Sequence, residues 1–92
     1  MLNSKSGMQI LDTSTNLNVV NKTGFYTVQN PVNAPIGTAT GWSNLIVMNA
    51  GNNINFVTQI LIQHTMSREA YIFIRTIQQE DFTNWYQFIP SY

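Results

Sequence analysis

Residues Gln59–Ile77 read QILIQHTMSREAYIFIRTI. Two apolar runs, Ile60-Leu61-Ile62 and Tyr71-Ile72-Phe73-Ile74, flank the polar segment Thr65-Met66-Ser67-Arg68-Glu69. Each run is too short for an ordinary helix and is rich in β-branched and aromatic residues, so the stretch predicts a β-hairpin at the centre of a sheet. Side chains alternate along a strand. Ile60, Ile62 and His64 therefore share one face, with Leu61 and Gln63 on the other. Across the turn, Tyr71, Phe73, Arg75 and Ile77 oppose Ile72, Ile74 and Thr76. The second strand is apolar on both sides, which predicts burial on both and leaves Arg75 as a charge inside an apolar run.

Outward from the hairpin, the chain reads as further short strands. Leu45-Ile46-Val47-Met48 is a second doubly apolar run, opened by Trp42 and closed by the turn Asn49-Ala50-Gly51-Asn52-Asn53. Gly24–Val28 is a strand entered through Lys22-Thr23-Gly24. The segment Asn30–Gly37 carries two prolines and two asparagines and reads as an ordered loop. After the hairpin, Gln78–Asp81 is a polar turn and Phe82–Ile89 a closing strand stopped by Pro90. Leu17–Val20 is either one helical turn or a short extended piece, with Asp12 and Thr13-Ser14-Thr15 as a weak cap. Residues 1–16 read as a lead-in and residues 17–92 as one domain. The fold class is mainly β: a small antiparallel sheet of about five short strands, with at most one helical turn near the N-terminus.

Ninety-two residues make one domain with a thin core. Only 9% of them are charged, against roughly a quarter in typical soluble domains. Polarity comes from twelve Asn, seven Gln, ten Thr and six Ser. The formal net charge is zero, which makes nucleic acid and anionic membranes poor partners. The chain has no cysteine, hence no disulfide, thiol catalysis or thiolate metal site. No apolar run approaches the ~20 residues that span a bilayer, so membrane insertion is not expected. An uncharged surface rich in amides, hydroxyls and aromatics suits extracellular β-structures and carbohydrate contacts.

The order of short motifs is also informative. Gly24-Phe25-Tyr26-x-Val28 is followed by Asn33-Ala34-Pro35-x-Gly37, then Gly41-Trp42 before an apolar strand, Gln59-Ile60, Tyr71-Ile72-x-Ile74-Arg75, and Phe82-Thr83-Asn84-Trp85. This order, with Leu17-Asn18 ahead of it, resembles the knob domain of pyocin and bacteriophage tail fibres over about residues 17–89. The chain departs from that pattern in its last turn, where Gln79-Glu80-Asp81 replaces the usual glycine and Phe82 the first tryptophan. The resemblance implies a distal module of a homotrimeric adsorption fibre on the virion, attached to upstream fibre domains and engaging a host cell-surface glycan or wall polymer. The alternative it admits is a structural trimerisation or capping domain without a ligand. The lead-in would then be the end of a fibre stalk or a tail left from expression.

Candidate ligand-binding residues are Trp42, Tyr26, Asn33, Asn52, Asn53 and Tyr71. Their aromatic faces would stack on sugar rings while turn amides bond hydroxyls. Each also has a plainer reading as a half-buried aromatic or a turn residue. Trp42 and Tyr26 exposed in one groove would favour binding, and both buried would favour structure. Arg75, Phe82, Trp85 and Gly24 read as structural. Arg75 either binds a carboxylate or, as preferred, satisfies carbonyls, pairs with Glu80 or Asp81, or stacks on Trp85.

No catalytic residue, metal site or cofactor is expected. His64 is the only histidine and lacks ligand or triad spacing. Glu80 and Asp81 are adjacent and make a poor glycosidase pair. Asn21-Lys22-Thr23 matches a glycosylation triplet that arises readily by chance.

Overall fold

The computed structural model describes residues 8–35, 41–50, 56–64, 70–78 and 81–88, with the side chains of all of these but His64 and Ala70. The turns expected at 51–53, 65–69 and 79–80, and with them Asn52, Asn53, Glu69 and Glu80, lie outside the described residues. The protein is mainly β, as expected. Its strands are β1 (Met8–Ile10), β2 (Gly24–Gln29), β3 (Trp42–Asn49), β4 (Phe56–His64), β5 (Ala70–Gln78), β6 (Asp81–Phe82) and β7 (Tyr86–Phe88). They form one sheet in the order β1-β2-β3-β4-β5-β6, with β7 also on β5.

The central hairpin is β4–β5, in the register that pairs Ile60 with Ile74, Leu61 with Phe73 and Gln59 with Arg75. All pairings are antiparallel except β1 with β2, which is parallel. Met8–Ile10, expected in a lead-in, is thus an edge strand of the sheet. A parallel neighbour needs a crossover of a dozen or more residues, and residues 11–23 supply it. They carry the single helical turn, a 3-10 turn at Leu17–Val19, whose N-cap Asn16 accepts from the Asn18 amide. That crossover lays Leu17, fully buried, on one face of the sheet.

This packed face carries Tyr26 and Val28 of β2, Leu45 and Val47 of β3, Val57 and Leu61 of β4, and Phe73 and Ile77 of β5. The cover over it is the crossover, part of the proline loop and Trp85. The loop is pinned by hydrogen bonds from Val32 N to Thr15 O and from Leu17 N to Val32 O. Asn30 and Asn33, at φ 52° and 62°, take the left-handed turns that asparagine tolerates. Gly24 has a local reason to be glycine: a Cβ there would stand 3.2 Å from the Tyr26 hydroxyl.

The opposite face is open. The expectation that β3 and β5 are buried on both sides is therefore corrected. Ile72 and Met48 are exposed, Ile46 and Ile74 half-buried, and Phe25, Trp42, Phe56 and Phe88 join them in exposure. One chain has too little material to cover both sides of a sheet this wide.

The closing strand is also not continuous. Between the pairs Ile77–Phe82 and Ile74–Tyr86, β5 advances three residues and the last strand four. The extra residue is a β-bulge. Thr83 anchors it, its amide donating to Thr76 O at 3.0 Å and its hydroxyl accepting from Thr76 N at 3.0 Å.

Candidate functional site

Arg75 projects from β5 onto the packed face and is only 5% exposed. Its register partner across the hairpin is Gln59, and their side chains meet, with Nε donating to Gln59 Oε1 at 2.8 Å. The amide of Gln59 continues the chain, donating to Leu17 O at 2.7 Å and Val20 O at 2.9 Å. A second guanidinium nitrogen donates to Asn18 Oδ1 at 2.9 Å. Gln59 and Arg75 thereby fasten the 3-10 turn to the sheet; Gln59 satisfies the Val20 carbonyl and adds a second donor to Leu17 O, which also accepts from Val20 N at 3.3 Å.

Two aromatic rings flank the guanidinium. Its carbon lies 4.5 Å from the centre of the Trp85 ring and 5.3 Å from that of Phe82, both within cation–π range. The bulge makes this possible. In an unbroken strand, Phe82 and Trp85 would point to opposite faces, because they are an odd number of residues apart. The extra residue returns Trp85 to the side of Phe82. Trp85 is held there by its indole N–H, which donates to Asn33 O at 3.0 Å.

These groups line a cleft of about 540 Å³. Arg75 and Phe73 belong to its sheet side, Phe82 and Trp85 are its aromatic members, and Asn18, Asn33, Thr83, Asn84 and Gln87 bring amides and a hydroxyl. Thr83, Asn84 and Gln87 are exposed. Burial lowers the Arg75 pKa to about 10, still far above neutrality, so the cleft carries a full positive charge at physiological pH. Among the described residues Arg75 forms no ion pair. Asp81 pairs in register with Gln78, on the open side of the sheet.

The sequence-predicted binding residues do not converge. Asn33 lines the cleft, with its side-chain amide donating to Asn16 Oδ1 at 2.7 Å. Tyr26 is buried on the packed face, its hydroxyl donating to Lys22 O at 2.6 Å. Trp42 is exposed on the open face. Neither arrangement weighed for this pair is found: the sheet divides them, with Tyr26 buried and Trp42 exposed. Tyr71 is half-buried against the core. Arg75, Phe82 and Trp85, read as structural, are the residues brought together, with Asn18, Gln59, Asn84 and Gln87 added by the fold. Gln59 had a legible signal: aligning Ile60 with Ile74 puts it opposite Arg75. Asn84 and Gln87 had none, because their side depends on the bulge.

A second cavity of about 470 Å³ lies at the other end of β4 and β5, lined by Met48, Asn49, Phe56 and Ile77 among others. Asn49 is held there by its amide to Asn21 O at 2.8 Å and its backbone N–H to the Thr23 hydroxyl at 2.9 Å. Asn21 and Thr23 of the glycosylation triplet thus close the end of β3. Among the described residues no three His, Asp or Glu side chains gather as metal ligands. Compared with protein-family models, curated proteins and solved structures, the chain matches none.

Proposed function

We propose that this domain is a non-enzymatic attachment module of the tail-fibre knob type, displayed on a virion and binding a host-surface glycan or wall polymer weakly at each site. The observation that carries the reading is the cleft over Arg75. It combines two aromatic rings with exposed amides and a hydroxyl, the surface chemistry that saccharides use: C–H faces stack on rings while hydroxyls take bidentate amide contacts. Weak single sites become firm attachment when several copies act together. The described carboxylates do not favour hydrolysis, since Asp12 follows β1 and Asp81 begins β6, at opposite edges of the sheet.

The open face favours a second reading, in which the domain's work is assembly of the fibre. Its occupant is a second copy of this chain, in a homotrimer as the resemblance implies. Each strand residue presents roughly 16 Å² of sheet, so a face of this size is on the order of 600 Å² in projection. Side-chain relief brings that near the ~800 Å² per partner of a stable interface. The two readings are compatible, because the cleft and the open face lie on opposite sides.

The test is a pull-down of the purified chain on intact bacterial cells and isolated wall glycan, beside Phe82→Ala and Trp42→Ala. Retention that survives Trp42→Ala and is lost in Phe82→Ala supports binding in the cleft. Retention with the opposite pattern moves the site to the open face. A confirmed oligomer that is never retained leaves assembly as the function.

A further inference from the structure

We infer that the saccharide taken by the cleft carries a carboxylate, as a uronic or sialic acid does, and that Arg75 is the group that selects it. This rests on the glycan-binding reading above and names the ligand class of the same site.

The argument is one of charge and unfilled donors. Arg75 is a cation almost removed from water. Its partners among the described residues are two neutral amide oxygens, on Gln59 and Asn18, and two aromatic rings. Guanidinium has five N–H donors, and those two hydrogen bonds use two of them. A buried charge is normally paired. Among the described residues, the neighbours that fix its position leave its charge uncancelled, and the space beside it is a cleft rather than packed core.

Because the guanidinium is itself almost wholly buried, its attraction for an anion is stronger than at an open surface. A carboxylate matches a planar guanidinium edge with two parallel hydrogen bonds. A neutral sugar would satisfy donors without meeting the charge. The rest of the cleft is ready for the remainder of the sugar, with Phe82 and Trp85 for the ring and Asn84 for hydroxyls. Pre-positioning by Gln59 and Asn18 means the guanidinium loses little freedom on binding.

The experiment varies the ligand, so that it does not depend on a buried substitution folding. A Trp42→Phe chain leaves Trp85 as the single fluorescent indole, beside the guanidinium. It is titrated with the methyl glycosides of glucuronic acid and N-acetylneuraminic acid, with the matching carboxamides, with methyl glucoside, and with a glycerol phosphodiester. The expected result is that at least one acid binds about tenfold or more tightly than its own amide, which corresponds to ~1.4 kcal/mol. Strong salt narrows that gap, and Arg75→Gln, where folded, closes it. Equal binding of acid and amide overturns the inference and leaves the glycan reading standing. Preference for the phosphodiester overturns it in favour of a phosphate-bearing polymer. No acid bound in the titration overturns the inference, and no retention in the pull-down as well overturns the glycan reading with it.

Discussion

Gln59 and Arg75 face each other across the central hairpin, and through them a buried cation is tied to the backbone of a turn some forty residues before Gln59, by bonds from Gln59 to the carbonyls of Leu17 and Val20. The pair links the sheet, the crossover and the cleft. Gln59→Leu strands one guanidinium N–H and the Val20 carbonyl at once, while Leu17 O keeps its bond from Val20 N. At ~1–3 kcal/mol for each buried group left unpaired, the expected loss is about 2 kcal/mol or more in urea unfolding. Adding Arg75→Met removes the stranded charge, so the double variant loses less than the sum of the singles. Additive losses would show that the two side chains act independently.

The bulge between Phe82 and Tyr86 sets which residues flank Arg75. Deleting Asn84 removes the extra residue and restores plain alternation, with Trp85 two positions after Phe82 and on the same face. The expected outcome is a folded sheet in which Trp85 stays over Arg75 and its emission does not shift. A crystal structure of the deletion variant with Trp85 turned to the open face would refute the assignment.

Tyr26 supplies a pH dependence. Burial raises its pKa above the ordinary phenol value of 10.0, because the charged phenolate is poorly solvated there. The folded state therefore holds its proton to higher pH than the unfolded state. The stabilisation is complete below the unfolded pKa and falls as pH rises through the folded one. Tyr26→Phe cannot titrate. At neutral pH it should cost about 1 kcal/mol, from the lost bond to Lys22 O. The stability advantage of the wild type over this variant should be flat from neutrality to about pH 9 and shrink beyond pH 10. An advantage that grows in that range would reverse the sign. Comparing the two chains cancels contributions from Arg75, present in both.

The open face predicts the assembly state. Phe25 is 55% exposed on β2, opposite Ile46 of β3. Phe25→Lys places a charge on the open face without touching the core. Light scattering should show the wild type as an oligomer and the variant as a monomer. The variant's unfolding free energy as a monomer should move by no more than ~0.5 kcal/mol, as at other surface positions. A wild type that stays monomeric at high concentration would remove the assembly reading.

Leu61 offers a calibration of the core. It is fully buried on β4, opposite Leu45 and Phe73. Leu61→Ala should cost ~2–5 kcal/mol in the same unfolding assay, while Ile72→Ala on the open face should cost a monomer far less. Similar losses at both positions would mean that the open face is covered.

The local pattern of the chain was sufficient for β2 to β5, though not for β1 or for the break between β6 and β7. Short β-branched and aromatic runs cannot make helices, and strict alternation assigns Phe73, Arg75 and Ile77 to one face and Ile72 and Ile74 to the other, as observed. The turn at Leu17 was legible only as one of two alternatives, and its cap is Asn16 rather than Asp12 or Thr13-Ser14-Thr15. Tertiary structure alone decided which face is covered, because alternation defines two faces without naming the inside one. It decided that Met8–Ile10 joins the sheet in parallel, a pairing made over a long crossover. It also parted Tyr26 from Trp42, which belong to neighbouring strands but opposite sides. Above all it decided the cleft. One extra residue in the last strand reverses every side chain after it, and a shift of that kind is set by what the strand pairs with, not by the residues it contains.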